Sequence, residues 1–319
     1  MWLRPSSGPD RTPRWGHLDG IQVGLHPTAG PRGLLRIYTP YLGHVGERVL
    51  NFVAIEPIAA GGTQRGYSEM EHSALDGVRG KRFWSSHEPA GGTPQDPASP
   101  VPGIVDEADG LERLTVYVHS EPFDNGAQIV VRVRFRADRP REVALAAFRR
   151  AGSAELEACV LSATMGNFAR LRRLHLKDRV VTPAELWPGF SGTGFADHAR
   201  FGLAQLRRDR GALVVFATPD EVDLAGVTYS SDTGDGWKYY GERAVQGWRV
   251  DEPSGEAQVL VNARWAFWAS SSEIPGGPAY ENVDVVEPFR DGQEIVYWAE
   301  PFADDADLDR LAALHGPVA

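Results

Sequence analysis

The chain has 319 residues and a mass of 34.9 kDa, with 42% hydrophobic and 24% charged residues, a globular balance that excludes disorder, collagen and coiled coil. Its 33 basic and 43 acidic side chains give a formal charge of −10, which argues against a general attraction to nucleic acid or anionic membrane; the single cysteine, Cys159, excludes a disulfide framework or a cysteine metal cluster. With 35 glycines and 23 prolines the sequence is rich in turns, and few segments carry a helical period, so an all-β sandwich or barrel is expected.

Residues 1–20 read as an irregular N-terminal arm with three prolines, its end docked because Trp2 and Trp15 are costly to expose. They contain no apolar core of a signal peptide, and the longest apolar runs, such as 212–217, fall far short of the roughly 18 residues of a membrane span. The expected address is therefore cytoplasmic. Short strand-like runs begin at Ile21: IQVGLH, GLLRIYTPYL and RVLNFVAIEPI. His17 and His26 bracket the first of these, and Tyr38 and Tyr41 flank Pro40. In the third, Asn51 and Glu56 interrupt an apolar strand, and Glu56 is expected to end it at the surface, since burying a carboxylate is costly unless it is paired.

A long loop insertion at about 59–111 follows, with little periodicity. Its segment RGYSEMEHSALDGVRGKRFWSSHE packs Arg65, Tyr67, Glu69, Glu71, His72, Lys81, Arg82, Trp84 and His87 close together, an aromatic ring among charges of the kind a sugar site uses. Glu71, His72 and His87 match no standard ligand spacing, so no metal or other cofactor is expected.

The clearest hairpin is LTVYVHS and QIVVRVRFRAD, joined through Asn125-Gly126, with His119 near the end of the first arm. In the second arm Val131, Val133 and Phe135 fall on one face while Arg132, Arg134 and Arg136 fall on the other. Residues 130–180 carry 12 Arg and Lys against 5 Asp and Glu, a local reversal of charge in an acidic chain. Arg172, Arg173, His175 and Lys177 continue it, and such a stripe suits carboxylate or sulfate groups. Strands are expected at EVALAAF, AELEACVLSATM and FARLRRLHLKD, with helix as the rival where Ala and Leu dominate. Beyond a Gly/Asp turn, Trp237, Lys238, Tyr239 and Tyr240 form either a ligand rim or a set of cross-strand aromatic pairs. Only the tail 304–319 reads as helix, with an acidic first turn and Gly316 as its stop.

The closing run EPFRDGQEIVYWAEP, with Pro288, Gly292 and the strand at Ile295 to Trp298, is similar to the last strands of the galactose-mutarotase-like supersandwich proteins. Those include aldose epimerases, polysaccharide lyases and sandwich domains of glycoside hydrolases. The resemblance implies a large two-sheet antiparallel β-sandwich, here spanning 21–303 as a single domain, and by itself carries no single function.

The sequence lacks the GxGxxG, GxxxxGK[ST], HExxH, CxxC and GxSxG fingerprints, which leaves carboxylates, histidines, tyrosines and arginines as the chemical tools. The expected function is action on an anionic, uronate-containing oligosaccharide, by β-elimination. His119, His175, Tyr67 or Tyr239 would be the base, and Arg134, Arg172 and Lys177 would neutralise the uronate. Glu56, Glu69, Glu71, His72, Lys81, Arg82, Trp84, Trp237 and Lys238 would bind substrate. The alternatives are a glycoside hydrolase with a carboxyl pair drawn from Glu56, Glu69, Glu71 and Glu281, and a non-catalytic carbohydrate-binding protein.

Overall fold

The computed structural model describes residues 1–6, 12–25, 31–43, 49–90, 99–164, 169–221, 227–235, 238–267 and 270–317. The fold is all-β, with two large antiparallel sheets in a sandwich and a short C-terminal helix. No helix among the described residues is long and apolar enough to cross a membrane. The chain divides into two compact units, one of 1–38, 52–162 and 287–296, the other of 39–51, 163–286 and 297–319.

The first unit contains β1 (Trp2–Leu3), β2 (Arg14–His17), β3 (Gln22–Gly24), β4 (Leu34–Tyr38), β5 (Val49–Ala59), β6 (Phe83–Ser86), β7 (Ile104–Ala108), β8 (Leu111–Ser120), β9 (Ile129–Arg136), β10 (Glu142–Arg149) and β11 (Leu156–Ala163). One sheet runs β1-β2-β3-β4-β5-β11, and the other runs β10-β9-β8-β6 with β7 paired along the first half of β8. The alternation read in the hairpin holds: Val131, Val133 and Phe135 are buried, as are Leu114, Val116 and Val118 on β8, while Arg132, Arg134 and Arg136 lie half-buried on the opposite face. Across the sandwich, His17 meets Phe135 edge-on at 6.3 Å.

The N-terminal arm is not irregular, because β1 and β2 extend the first sheet. Trp15 explains this: its ring is fully buried and its indole N–H donates to the Val101 carbonyl at 2.9 Å, so burial of one large aromatic and satisfaction of its polar atom fix the strand. The long insertion likewise contains β6 and β7.

The second unit contains β12 (Leu171–His175), β13 (Val180–Val181), a single-turn α1 (Pro183–Leu186) closed by a Thr182/Glu185 capping box, β14 (Ala199–Gly202), β15 (Arg208–Asp209), β16 (Ala212–Pro219), β17 (Ala244–Val250), β18 (Gln258–Arg264), β19 (Ala279–Val286), most of β20 (Glu294–Pro301) and α2 (Leu308–Leu314). Its sheet order is β13-β12-β16-β17-β20 with β15 on β16, and β14-β18-β19 form a separate three-stranded sheet. On one face of β17 and β20, Trp248 meets Tyr297 at 5.2 Å and donates to the Val283 carbonyl at 2.9 Å, while Asn51, Gln246 and Tyr297 share buried hydrogen bonds of 2.5–3.3 Å. On the other face Val214, Phe216, Val245 and Trp298 pack against Leu308, Leu311 and Ala312 of α2. The tail helix thus forms as read, but only from Leu308, after a tight turn capped by Asp304.

Gly247 makes that second face possible. A Cβ there would lie 2.5 Å from two atoms of the Trp298 indole and 2.7 Å from the Val215 carbonyl, and Trp298 is held by Phe216 at 5.8 Å and by a stacked His315 at 4.3 Å. Gly247→Ala is expected to cost about 2–3 kcal/mol through overpacking, read as a lower urea midpoint.

Candidate functional site

The outer face of β6, β8, β9 and β10 in the first unit brings together residues that the sequence offers for three different roles. Pairing register places Tyr117 opposite Arg132, Thr115 opposite Arg134, Arg113 opposite Arg136 and His119 opposite Val130 on β8 and β9. Trp84 lies beside His119 and Ser86 beside Tyr117 on β6, and Ala144 and Ala146 lie opposite Arg134 and Arg132 on β10. Cross-strand partners share a face, so Trp84, His119 and Arg134, expected separately as sugar platform, base and neutraliser, fall on one surface.

The electrostatics of this face favour an anion. Arg132 and Arg134 both donate to one carboxylate oxygen of Glu294, at 2.9 and 3.0 Å. Arg136 holds Asp138 with two bonds of 3.0 and 2.9 Å, and Arg113 reaches the exposed Asp109 at 3.2 Å. The Nε groups of Arg113, Arg132 and Arg134 are buried without a hydrogen-bond partner among the described residues. Burial, together with the charge of Arg132, holds the Arg134 guanidinium below its ordinary pKa against the pull of Glu294. Phe148 lies under Arg132 at 5.2 Å, and the hydroxyl of the half-buried Tyr117 makes no hydrogen bond among the described residues. Tyr117 is the functional candidate that sequence reasoning missed.

His119 sits on this face but is sealed. It stacks on Trp84 at 5.6 Å, and its Nε2 lies 2.8 Å from the Ser86 hydroxyl and 3.2 Å from the Glu88 carbonyl. The ring is fully buried, and that burial pushes its pKa down to about 4 and keeps it neutral.

The loop cluster is a knot of ion pairs. Lys81 is buried and bonded to Glu71, Asp124 and the His72 carbonyl, Glu71 also accepts from the Tyr67 and Asp124 backbones, and Glu121 accepts from the Arg82 backbone. Tyr67 and Glu69 are half-buried and the His72 side chain is exposed. Glu56 is buried rather than at the surface, because Arg65 pairs with it at 2.5 Å and meets the cost of desolvation.

In the second unit His175 is buried, 2.9 Å from the Thr218 hydroxyl and stacked on Phe216 at 4.9 Å, and burial beside Arg173 pushes its pKa down to about 4. Tyr239 is buried with its hydroxyl donating to the Glu242 carbonyl at 2.5 Å, and burial raises its pKa. Lys238 pairs with Asp235 at 2.9 Å. Lys177 is exposed, and Trp237 lies outside the described residues. Arg172 is held by Asp220 at 2.8 Å, by Glu221 and by the Pro275 and Gly277 carbonyls. Burial and the adjoining Asp220 carboxyl raise the pKa of Glu221; against burial, hydrogen bonds from Glu221 and Arg172 lower that of Asp220. Two carboxyls in mutual hydrogen bond stand closer than the roughly 5 Å of a retaining glycosidase pair.

Glu281 is buried 3.8 Å from Arg264, and burial outweighs that cation to push its pKa up to about 7. A carboxyl raised in the folded state contributes stability that is full below the ordinary value of 4.5 and is lost as pH rises through about 7. Glu281→Gln is expected to remove that slope, gaining about 3 kcal/mol relative to the native chain between the two limits, measurable as melting temperature against pH.

Among the described residues no group of three or more His, Cys, Asp or Glu is placed to hold a metal ion. Comparison with protein-family models, curated proteins and solved structures finds no match to this chain.

Proposed function

We propose that the chain is a carbohydrate-active enzyme that cleaves an acidic, uronate-containing oligosaccharide by β-elimination on the outer face of β8 and β9. The observation that carries this reading is the pair Arg132 and Arg134, which converge on a single carboxylate with Tyr117 directly across the ladder. Glu294 stands where a second carboxylate can be drawn, because the flanking guanidiniums outnumber the acids that answer them and one of those acids, Asp109, lies in solvent. Bound there, a uronate carboxylate is neutralised and its α-proton becomes more acidic. Tyr117, entering as its phenolate, takes that proton and becomes the hydroxyl, the electron pair of the broken C–H bond forms the new double bond as the β-oxygen leaves, and the departing oxygen takes the proton from that hydroxyl, which restores the phenolate. The half-buried rings of Tyr117 and Phe148 give a sugar an apolar surface. The likeness of the closing run to supersandwich proteins adds saccharides as the substrate class.

The test is ultraviolet absorbance of the protein incubated with uronate oligosaccharides. A new conjugated double bond is expected, with Arg134→Gln lowering turnover about 100-fold. Thermal stabilisation by an oligosaccharide with no new absorbance would replace the lyase by a binding protein or a hydrolase, and neither response would remove the saccharide reading.

A further inference from the structure

The second unit holds a cleft independent of that face. The chain has three lysines, and two have carboxylate partners: Lys81 with Glu71 and Asp124, Lys238 with Asp235. Lys177 is exposed and forms no ion pair among the described residues. Its backbone N–H donates to the Gln205 carbonyl at 2.9 Å, and Leu176 closes the turn onto the Arg179 carbonyl at 2.9 Å, which fixes the lysine beside the segment 203–206. Arg208 is similarly unanswered. Its guanidinium reaches only the Gly211 carbonyl, at 3.1 and 2.6 Å, and no carboxylate among the described residues pairs with it.

Lys177 and Arg208 line a cleft of about 560 Å³ whose remaining walls are Leu203, Ala204, Leu206 and Gly255. That volume lies within the roughly 300–1,000 Å³ of small-molecule sites. Two cations without acids, in a protein of charge −10, leave the cleft complementary to an anion. Between them the lining is aliphatic, with no hydroxyl, amide or aromatic ring to recognise the hydroxyls or the face of a sugar. The geometry points to a binding site for a small aliphatic carboxylate, its head between Lys177 and Arg208 and its chain on Leu203 and Leu206. The ammonium supplies a point charge and the guanidinium an oriented donor pair, while burial of each methylene adds apolar contact.

The experiment is calorimetric titration of the full chain with hexanoate at low ionic strength, with 1-hexanol, glucuronate and inorganic phosphate as comparison probes. Hexanoate should bind and 1-hexanol should not, since the alcohol lacks the charge. Lys177→Gln and Arg208→Gln should each weaken hexanoate about tenfold, and both are exposed positions whose folding circular dichroism checks. At Gly255 a Cβ would meet nothing within 4 Å, so Gly255→Leu tests obstruction of the cleft without strain and should also weaken binding. No binding of hexanoate, equal binding of glucuronate or phosphate, or full affinity in Lys177→Gln would each overturn the assignment. None of these outcomes depends on elimination chemistry in the first unit.

Discussion

Replacing Lys81 with methionine is expected to cost about 3–5 kcal/mol of stability, because it removes one member of a buried charge network and strands the others. The three donors of the ammonium are all used: Glu71 at 3.1 Å, Asp124 at 3.0 Å and the His72 carbonyl at 3.1 Å. Glu71 in turn accepts from the backbones of Tyr67 at 3.2 Å and Asp124 at 2.9 Å, so the loss of the lysine leaves its carboxylate with donors but no counter-charge. Asp124 is 74% exposed, so Asp124→Asn should cost under about 1 kcal/mol and separate the buried pair from the exposed one. Against burial, the hydrogen bonds that Lys81 donates to Asp124 and Glu71 raise its pKa above 10.5. Its contribution is therefore complete below that value and is lost as pH rises through the folded one, so the deficit of Lys81→Met shrinks in strong alkali. Urea denaturation midpoints across pH measure both effects. An unchanged midpoint in Lys81→Met would show that this ion-pair network adds no stability, and leave the substrate-binding role expected from the sequence.

Lys81 shows how the legibility of this chain is divided, since its charge is plain in the sequence and its burial and its partners are not. Alternation along β9 was readable because side-chain direction in a strand is a local property, and it placed Val131, Val133 and Phe135 inward and three arginines outward. Register was not readable. The residues 121–128 that join β8 to β9 form more than the two-residue turn suggested by Asn125-Gly126: Gly126 closes a turn onto the Phe123 carbonyl while the Asn125 side chain reaches the Pro57 carbonyl. Without register, Tyr117 could not be placed opposite Arg132, and a lone tyrosine in LTVYVHS carried no signal. Partners remote in sequence were equally hidden. Arg132 and Arg134 meet Glu294 some 160 residues away, and Trp15, buried in the arm's second strand, donates to the carbonyl of Val101, 86 residues on. The chemistry of His119 and His175 is legible in the sequence, but the stacking of their rings on Trp84 and Phe216 is not.

Tyr117→Phe is the variant expected to separate catalysis from everything else on the proposed face. Phenylalanine keeps the ring beside Arg132 and therefore keeps the apolar surface on which a sugar packs, but it removes the oxygen that accepts and returns the proton. Turnover on a uronate oligosaccharide should fall at least about 1,000-fold, while substrate affinity stays within about threefold. The hydroxyl makes no hydrogen bond among the described residues, so the melting temperature should hardly move, which keeps a loss of activity from being confused with a loss of fold. Arg132→Gln should behave differently. It leaves Glu294 bound to Arg134 alone and weakens the carboxylate subsite, so affinity and turnover fall together. Full turnover in Tyr117→Phe would exclude this tyrosine as the base. With His119 enclosed by Ser86 and Glu88, the proton would then have to pass to a group off this face, and the arginines would be left with a binding role alone.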